Sequence, residues 1–179
     1  MSDQKRGLDS AKLASIYDDC HQPIYRYIYR LVGDVETTRD LVADVFQRFL
    51  QSVGNGNGLP QNPEAWLYRT AHNIVVDYYR RQQHRQHLPL DEEMASGTED
   101  YPEHIAEGRI SAAQVRAALQ HLTPDQQQVI VLKFLEGLSN QEVAAVLEKP
   151  VGAVKSLQHR ALSTLRRQLS TEDKERILA

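Results

Sequence analysis

The chain has 179 residues, 41% of them apolar, and a formal net charge of -3 at pH 7. This length and composition suit one large domain or two small ones with compact cores, and two small ones are expected here. A single cysteine excludes an intramolecular disulfide framework, and the lack of a long apolar run or a signal-peptide stretch predicts a cytoplasmic protein without a membrane span.

The first predicted element is a helix whose apolar residues recur at three- and four-residue steps. Its buried stripe consists of Leu13, Ile16, Tyr17, Cys20, Ile24, Tyr27, Ile28 and Leu31. Pro23 is expected to bend this helix and Gly33 to end it. Because no second ligand pair accompanies Cys20, the stripe favours a small core residue there over a metal or redox site.

A second helix is predicted to begin at Asp34, whose carboxylate can accept hydrogen bonds from the first backbone amides. Its apolar stripe consists of Val42, Val45, Phe46, Phe49 and Val53. The opposite face carries Asp40, Asp44, Gln47 and Arg48. The Gly- and Asn-rich segment that follows, 54–63, is predicted to be irregular and matches no phosphate-binding fingerprint.

The third predicted helix runs from about residue 63 to residue 83 and has two distinct faces. Its core stripe consists of Leu67, Ala71, Ile74, Val75 and Tyr78. Another face carries Arg69, His72, Asn73, Val76 and Arg80, with Tyr79 and Arg81 at its margins. Cations beside aromatic rings suit single-stranded nucleic acid, since bases stack on rings while guanidinium groups bind phosphates. The spacing alone is equally typical of an ordinary solvated helix face.

An acidic segment separates the two halves of the chain. Between residues 88 and 107 there are seven acidic residues and no lysine or arginine, together with two prolines and a glycine. Such a composition is typical of a linker. A solvated acidic loop is the simpler interpretation. The alternative is a segment that repels nucleic acid and keeps the flanking domains from closing on each other.

The C-terminal part contains two capped helices followed by a basic one, spaced as a helix-turn-helix. Thr123 and Ser139 each begin a capping box, and Gly137 stands where a left-handed residue would end the first helix. The third segment, 150–169, has no acidic residue and contains Lys155, Arg160, Arg166 and Arg167. This helix is therefore the one suited to DNA phosphates.

Three segments in order resemble bacterial sigma factors of the extracytoplasmic-function (ECF) type. Residues 66–81, WLYRTAHNIVVDYYRR, resemble the promoter-melting and minus-ten-reading helix, with the pattern W-L-x-x-x-A-x-N-x-x-x-D-x-x-R at Trp66, Leu67, Ala71, Asn73, Asp77 and Arg80. Residues 39–50, RDLVADVFQRFL, resemble the helix that docks on the clamp of RNA polymerase. Residues 122–169 resemble the domain that reads the minus-thirty-five element, including its Pro-x-Gly-x-Val-Lys-Ser core. Helix-turn-helix domains alone are common, but this ordered combination is specific.

The resemblance implies an all-α fold of two small helical domains, near residues 8–85 and 109–170, joined by a flexible acidic linker at 86–108. The second domain is expected to be a helix-turn-helix. The implied function is that of an alternative sigma factor, which directs core RNA polymerase to promoter DNA, assists melting and catalyses no reaction itself. No cofactor, metal ion or small-molecule substrate is expected. An anti-sigma factor is an expected further partner.

The same resemblance assigns roles to individual residues. Polymerase docking is assigned to Asp40 and Asp44, with Gln47 and Arg48 on the same face. Recognition of the melted element is assigned to Arg69, His72, Asn73, Arg80 and Arg81. Contact with the upstream duplex is assigned to Gly152, Ala153, Lys155, Ser156, His159 and Arg160. Asp77 has an equally good structural interpretation, since it can pair with Arg80 or Arg81 at helical spacing.

The chain departs from the family pattern at three places. Thr37, Thr38 and Arg39 stand where acidic residues often precede the clamp helix, so Asp40 and Asp44 are expected to bear more of the docking. Glu148 and Lys149 replace a glycine and a hydrophobic residue in the turn of the helix-turn-helix. The Leu157-Gln158 pair replaces the usual Arg-Leu order, which removes an expected DNA-facing cation and predicts an atypical promoter preference.

Two other functional classes are compatible with parts of this sequence. A sigma-mimicking signalling protein would keep the helical shape and bind a regulator, but it need not retain a basic recognition helix. A metal-dependent hydrolase would need clustered ligands, and no His-Glu-x-x-His pairing is present among the seven histidines. The sequence therefore favours the sigma factor over both.

Overall fold

The computed structural model describes residues 3–86 and 112–178, and these ranges contain helices and turns without a strand. The N-terminal helices are α1 (Asp3–Val32), α2 (Val35–Ser52) and α3 (Pro63–Gln86), with a π-helical turn at Val53–Asn57. The C-terminal helices are α4 (Ala112–Gln120), α5 (Pro124–Ile130), α6 (Asn140–Leu147) and α7 (Val151–Leu178), with a second π-helical turn at Val131–Leu135. The expected all-α fold with two helical domains is confirmed. Apart from Gln86, the predicted linker lies outside the described residues.

The core of the N-terminal domain forms where α1, α2 and α3 pack against one another. Most residues of the three predicted stripes are buried there, including Tyr27, Phe49 and Leu67. Tyr17 is an exception to the stripe predicted for α1. Its side chain is 47% exposed and its ring packs edge-on against Phe46, with 4.8 Å between centroids. Helical periodicity places Tyr17 near the core but does not determine how far the other helices extend over it.

The ends of these helices follow the predicted turn chemistry. Gly33 ends α1 with a φ of 81°, a left-handed conformation that glycine adopts without a Cβ penalty. The carboxylate of Asp34 accepts a 2.7 Å hydrogen bond from the backbone amide of Thr37, so the predicted N-cap of α2 is confirmed. Helix α1 continues through Pro23 from Asp3 to Val32.

The sequence predicted that the whole segment 54–63 is irregular, but its first residues are helical. Ser52 and Val53 keep right-handed helical dihedrals, so α2 runs on into the π-helical turn. Gly58, with a φ of 67°, ends this turn. The side chain of Asn62 then accepts a 2.9 Å hydrogen bond from the amide of Ala65 and caps the start of α3. The prediction failed because glycine content alone does not show where the helical backbone stops.

The helix-turn-helix of the C-terminal domain has the predicted caps. Ser139 and Glu142 exchange hydrogen bonds of 2.7 Å and 3.2 Å, and Thr123 forms the same kind of capping box at the start of α5. Gly137 adopts a φ of 78° before α6. On α7, Val154 and Ala161 are fully buried, which fixes the inner face of this helix and leaves its polar face outside.

The turn between α6 and α7 contains Glu148 in a left-handed conformation, with φ 53° and ψ 40°. It is the one positive-φ residue other than glycine within the described ranges. A Cβ makes this conformation unfavourable, which is why glycine commonly ends helices in this way. The departure from the family pattern at this position therefore strains the backbone locally.

Replacing Glu148 should expose this strain. Because Glu148→Gly removes the Cβ whereas Glu148→Ala keeps it, we expect the glycine variant to be more stable than the alanine variant by about 1 kcal/mol. Both variants lose the carboxylate equally, so the comparison isolates the backbone. Urea unfolding of the full chain measures the difference. Equal stability of the two variants would show that residue 148 is not held in the left-handed conformation.

The two domains contact each other directly. Helix α3 packs against α6, and α1 packs against α4 and the π-helical turn Val131–Leu135. The interpretation in which the acidic segment keeps the domains from closing on each other is therefore wrong for this conformation. Sequence composition could not reveal the contact, because the groups that form it lie far apart along the chain. Arg30 and Glu136, for example, are separated by 106 positions.

Candidate nucleic-acid interface

The C-terminal domain covers one part of the polar side of α3 and leaves another part exposed. Arg69 and His72 lie at the N-terminal half of the helix, where α6 and α5 approach it. Asn73, Arg80 and Arg81 are exposed. The structure therefore does not bring all five predicted residues together on one open surface.

His72 is buried instead of lying on an exposed cationic face, and its predicted exposure is wrong. Its side chain is 4% exposed, and its Nδ1 atom lies 2.9 Å from the hydroxyl oxygen of Tyr27 on α1. Burial lowers the pKa of His72 to about 4, although the Asp125 carboxylate opposes this shift. The ring is therefore neutral at pH 7. Helical spacing could not distinguish this position from its exposed neighbours because α1 and the second domain close over it.

Arg69 is engaged by the C-terminal domain at the end of α6. Its Nε donates a 3.1 Å hydrogen bond to the carbonyl oxygen of Val146, and its Nη1 forms an ion pair with Glu148. In this arrangement the guanidinium group satisfies carbonyl and carboxylate groups of the second domain. It is not available to a phosphate unless these contacts break.

The C-terminal half of α3 has a more open cationic surface. Arg80 forms a 3.1 Å ion pair with Asp77, three residues earlier, so the structural interpretation of Asp77 is confirmed. The Arg80 side chain is nevertheless 68% exposed, and an exposed pair of this kind contributes little to stability. Arg80 can therefore exchange its carboxylate partner for a phosphate at small cost.

A groove between α2 and α3 joins this surface to the face predicted to dock on polymerase. Arg81 and Asp77 line it from α3, and Asp44 and Arg48 line it from α2. All four polar residues predicted on the outer face of α2 are exposed: Asp40, Asp44, Gln47 and Arg48. The buried Val45 and Phe49 hold this face outward. The structure thus gives the predicted docking face the exposure that a binding surface needs.

Helix α7 presents a continuous polar row to solvent. Lys155, Ser156, His159 and Arg160 are all exposed, Gly152 is exposed one turn before them, and Ala153 is partly buried beside it. The hydroxyl of Ser156 donates a 3.1 Å hydrogen bond to the carbonyl oxygen of Gly152. Spacings of three and four residues place Lys155, Ser156, His159 and Arg160 along one side of the helix. A helix of this kind, held by a buried inner face, can enter the major groove of DNA.

The Leu157-Gln158 pair has a structural explanation. Leu157 is 8% exposed and belongs to the inner face of α7. The side-chain nitrogen of Gln158 donates a 2.8 Å hydrogen bond to the side-chain oxygen of Asn140 at the start of α6. Gln158 therefore ties the two helices of the helix-turn-helix together. The helical spacing of the sequence predicted a core position for Leu157, and its burial confirms this. The hydrogen bond of Gln158 was not predicted, because its partner lies on another helix.

The described residues contain no candidate metal centre and no candidate membrane span. No group of three or more histidine, cysteine, aspartate or glutamate side chains there could hold a metal ion. No described helix combines the length and apolar character that crossing a membrane requires.

Comparison with known proteins identifies the family. The models of Sigma-70 region 2 and Sigma-70, region 4 match residues 16–85 and 112–165. The chain is 37% identical over 155 residues to the ECF RNA polymerase sigma factor BldN of Streptomyces coelicolor, covering 86% of this chain and 59% of that protein. It is 32% identical over 159 residues to the ECF RNA polymerase sigma factor SigX of Bacillus subtilis, covering 86% of this chain and 81% of that protein.

The fold agrees with this relationship. The sigma factor RpoE of Bartonella quintana, in a structure with the anti-sigma factor NepR, superposes with a TM-score of 0.63 at 21% identity, covering 89% of this chain and 97% of that one. The match to both sigma regions, in order, coincides with the two domains described above. The chain therefore belongs to the ECF family of RNA polymerase sigma factors.

Proposed function

We propose that this chain acts as an alternative sigma factor, which binds core RNA polymerase, directs it to promoter DNA and assists melting. The exposed row of Lys155, Ser156, His159 and Arg160 on α7 is the observation that carries the proposal. It supplies two cations for phosphates and two polar groups for base edges on a helix whose inner face is locked into the domain. The chain itself supplies binding surfaces, and we assign it no catalytic residue.

In this proposal each domain has its own binding role. Asp40, Asp44, Gln47 and Arg48 of α2 dock on polymerase, and the exposed Asn73, Arg80 and Arg81 of α3 receive the melted strand. Gly152 and Ala153 bring the start of α7 close to the upstream duplex, where small side chains allow a close approach. Arg69 and His72 would join the melted-strand surface only if the domains separate. An anti-sigma factor is the proposed regulatory partner, and family membership supports it.

Run-off transcription with purified core polymerase and a library of promoter fragments tests the proposal. A sigma factor should produce transcripts from a subset of fragments, and core polymerase alone should not. A sigma-mimicking signalling protein, the alternative function, would bind a regulator and produce no transcript from any fragment. The exposed cations of α7 favour the sigma factor over the mimic, because a mimic has no need of them.

The role of α7 can be measured through the salt dependence of DNA binding. Replacing Lys155 and Arg160 with glutamine should weaken binding of the holoenzyme to promoter DNA and reduce the slope of log K against log salt by about one to two, since each phosphate contact releases counterions. Replacing Ser156 and His159 should instead change which sequence is preferred. An unchanged slope in the Lys155/Arg160 variant would move the DNA contact away from this helix.

A further inference from the structure

The groove between α2 and α3 is a polar cleft within the N-terminal domain. Its volume is about 240 Å³, and its polar lining comes from Asp44 and Arg48 of α2 and from Asp77, Tyr78 and Arg81 of α3. Pockets that enclose a whole small molecule usually have volumes of about 300–1,000 Å³. The smaller volume of this groove therefore favours a segment of a longer chain over a free small molecule.

Two arginines of the groove are unpaired. Arg48 and Arg81 are exposed, and neither forms an ion pair or a side-chain hydrogen bond with another described residue. Asp44 precedes Arg48 by four residues, a spacing at which pairs often form on a helix, but these two groups do not pair. Both guanidinium groups can therefore bind an added anion without breaking an existing contact. Elsewhere in the described ranges, ion pairs engage Arg26, Arg30, Arg69 and Arg80.

The charge of the groove favours an anion although two carboxylates line it. Asp77 lies 3.1 Å from Arg80, so the charge of this carboxylate is already balanced. Among the other lining residues, Asp44 alone opposes the two guanidinium groups of Arg48 and Arg81. A guanidinium group can donate two parallel hydrogen bonds to one phosphate, which makes a phosphate chain the best match for this lining.

Tyr78 adds an aromatic ring to the groove. Helical periodicity predicted a core position for it, but its side chain is partly exposed and lines the groove. Its ring packs edge-on against Tyr79, with 5.4 Å between centroids, and the Tyr79 hydroxyl donates a 2.6 Å hydrogen bond to the carbonyl oxygen of Leu31. The neighbouring ring therefore holds Tyr78 in place. A fixed ring beside guanidinium groups suits single-stranded nucleic acid, because a base can stack on the ring while the cations bind phosphates.

The groove continues the surface of α3 that the proposed function assigns to the melted strand. Asn73, Asp77 and Arg81 follow one another at four-residue steps and form one row along α3. This row is about 12 Å long, which corresponds to about three or four stacked nucleotides. Arg48 stands on the other wall of the groove. A strand that passes Asn73 would therefore reach cations from both helices.

We propose that the groove between α2 and α3 binds the melted strand beyond Asn73 and Arg80. Arg48 and Arg81 bind its phosphates from opposite walls, and Tyr78 stacks on one of its bases. Arg48 thus takes part in strand binding in addition to its place at the edge of the docking face. The inference rests on the proposed function for the identity of the strand, but the affinity of the groove for single-stranded DNA does not depend on polymerase.

Binding of single-stranded DNA to the full chain without polymerase tests the groove. Fluorescence anisotropy of a labelled oligo(dT) of about 15 nucleotides measures the affinity at several salt concentrations. Arg48→Ala should weaken binding at least about fivefold, since a hydrogen-bonded charge is lost. It should also reduce the slope of log K against log salt by about 0.7, the value for one phosphate contact on a single strand.

A matched control removes the same charge from the same helix. Arg39 is exposed on the side of α2 that faces α1, and Arg39→Ala should leave the affinity within about twofold of the parent. An equal loss in the two arginine variants would mean that net charge controls binding, and would overturn the proposal. No measurable binding by the parent at low salt would overturn it as well.

The ring of Tyr78 has its own pair of variants. Tyr78→Phe keeps the ring and should bind within about twofold of the parent, whereas Tyr78→Leu should bind at least about fivefold more weakly. Equal affinity of these two variants would reject the stacking role. If circular dichroism shows that Tyr78→Leu is unfolded, the comparison of Arg48→Ala with Arg39→Ala decides the proposal.

Two further probes identify the occupant of the groove. The mononucleotide dTMP, at the same concentration of phosphate groups, should not displace the oligonucleotide, and displacement would indicate a small-molecule site and overturn the proposal. Arg48→Ala should affect a dA·dT duplex of the same length less than the single strand. An equal effect on both would show that the groove does not select a melted strand, and would also overturn the proposal.

The oligonucleotide data and run-off transcription separate the two proposals. Transcripts from the parent, together with normal oligonucleotide binding by Arg48→Ala, would reject the groove and keep the proposed function. Absence of transcripts, together with the selective loss in Arg48→Ala, would reject the proposed function and keep the groove as a site for single-stranded DNA.

Discussion

Replacing both Asp40 and Asp44 with lysine is expected to lower the affinity of the protein for core RNA polymerase at least about a hundredfold, since reversed charges in an interface cost several kcal/mol. Both carboxylates are exposed, lie one helical turn apart on α2 and face away from the core. Lysine is a better helix former than aspartate, so the helical content and the melting temperature should change little. Fluorescence anisotropy of labelled protein titrated with core enzyme measures the loss.

The control for this variant carries the same change in net charge elsewhere. Asp18 and Asp19 are exposed neighbours on α1, and replacing both with lysine should leave the affinity for core polymerase within about threefold of the parent if the effect depends on position and not on net charge. Unchanged affinity in the Asp40/Asp44 variant would reject the assignment of this face. An equal loss in both double variants would mean that the net charge, and not the α2 face, controls binding.

Local chemistry was the part of the structure that the sequence predicted well. The caps at Asp34, Thr123 and Ser139 each need only residues within one helical turn, and all three formed as expected. The left-handed backbone at Gly33 and Gly137 likewise depends on the residue itself. Such features are specified by neighbouring residues, so a single sequence contains enough information to find them.

Contacts between the domains were not predictable in the same way. Arg30 and Glu136 carry no pattern that links them, and nothing near His72 in the sequence indicates Tyr27 as its partner. Periodicity identifies the face on which a side chain lies, but the covering surface belongs to another part of the chain. The C-terminal domain therefore covers part of the cationic face predicted for α3, and only the three-dimensional structure shows this contact.

This contact determines which α3 residues can act first. Asn73 and Arg80 are exposed while the two domains are in contact, whereas Arg69 is engaged and His72 is buried and neutral. In the proposed function, a strand leaving the duplex would therefore meet Asn73 and Arg80 before it meets Arg69 or His72. The exposed ion pair of Arg80 with Asp77 opposes this encounter only weakly.

Alanine at both Asn73 and Arg80 is consequently expected to permit a closed promoter complex but block strand separation. Extruding a base costs a few kcal/mol, which contacts made only in the open state must offset. Two lost polar contacts of about 1 to 2 kcal/mol each would lower the open-to-closed ratio about thirtyfold to a thousandfold. Permanganate reactivity of unpaired thymines on a linear promoter fragment reports the opening, and gel retardation reports the closed complex.

Two further measurements distinguish a melting defect from a general loss of DNA binding. Lys12→Ala removes an exposed cation from α1 instead of α3 and should open the promoter normally. On a template with a pre-melted bubble, the Asn73/Arg80 variant should recover most of its transcription, because the cost of extrusion has already been met by the mismatched strands. Normal thymine reactivity on the linear fragment would refute the role of this surface. Failure on the bubble template would place the defect after strand separation. Asn73 and Arg80 would then be needed to hold the separated strand, and not to separate it from the duplex.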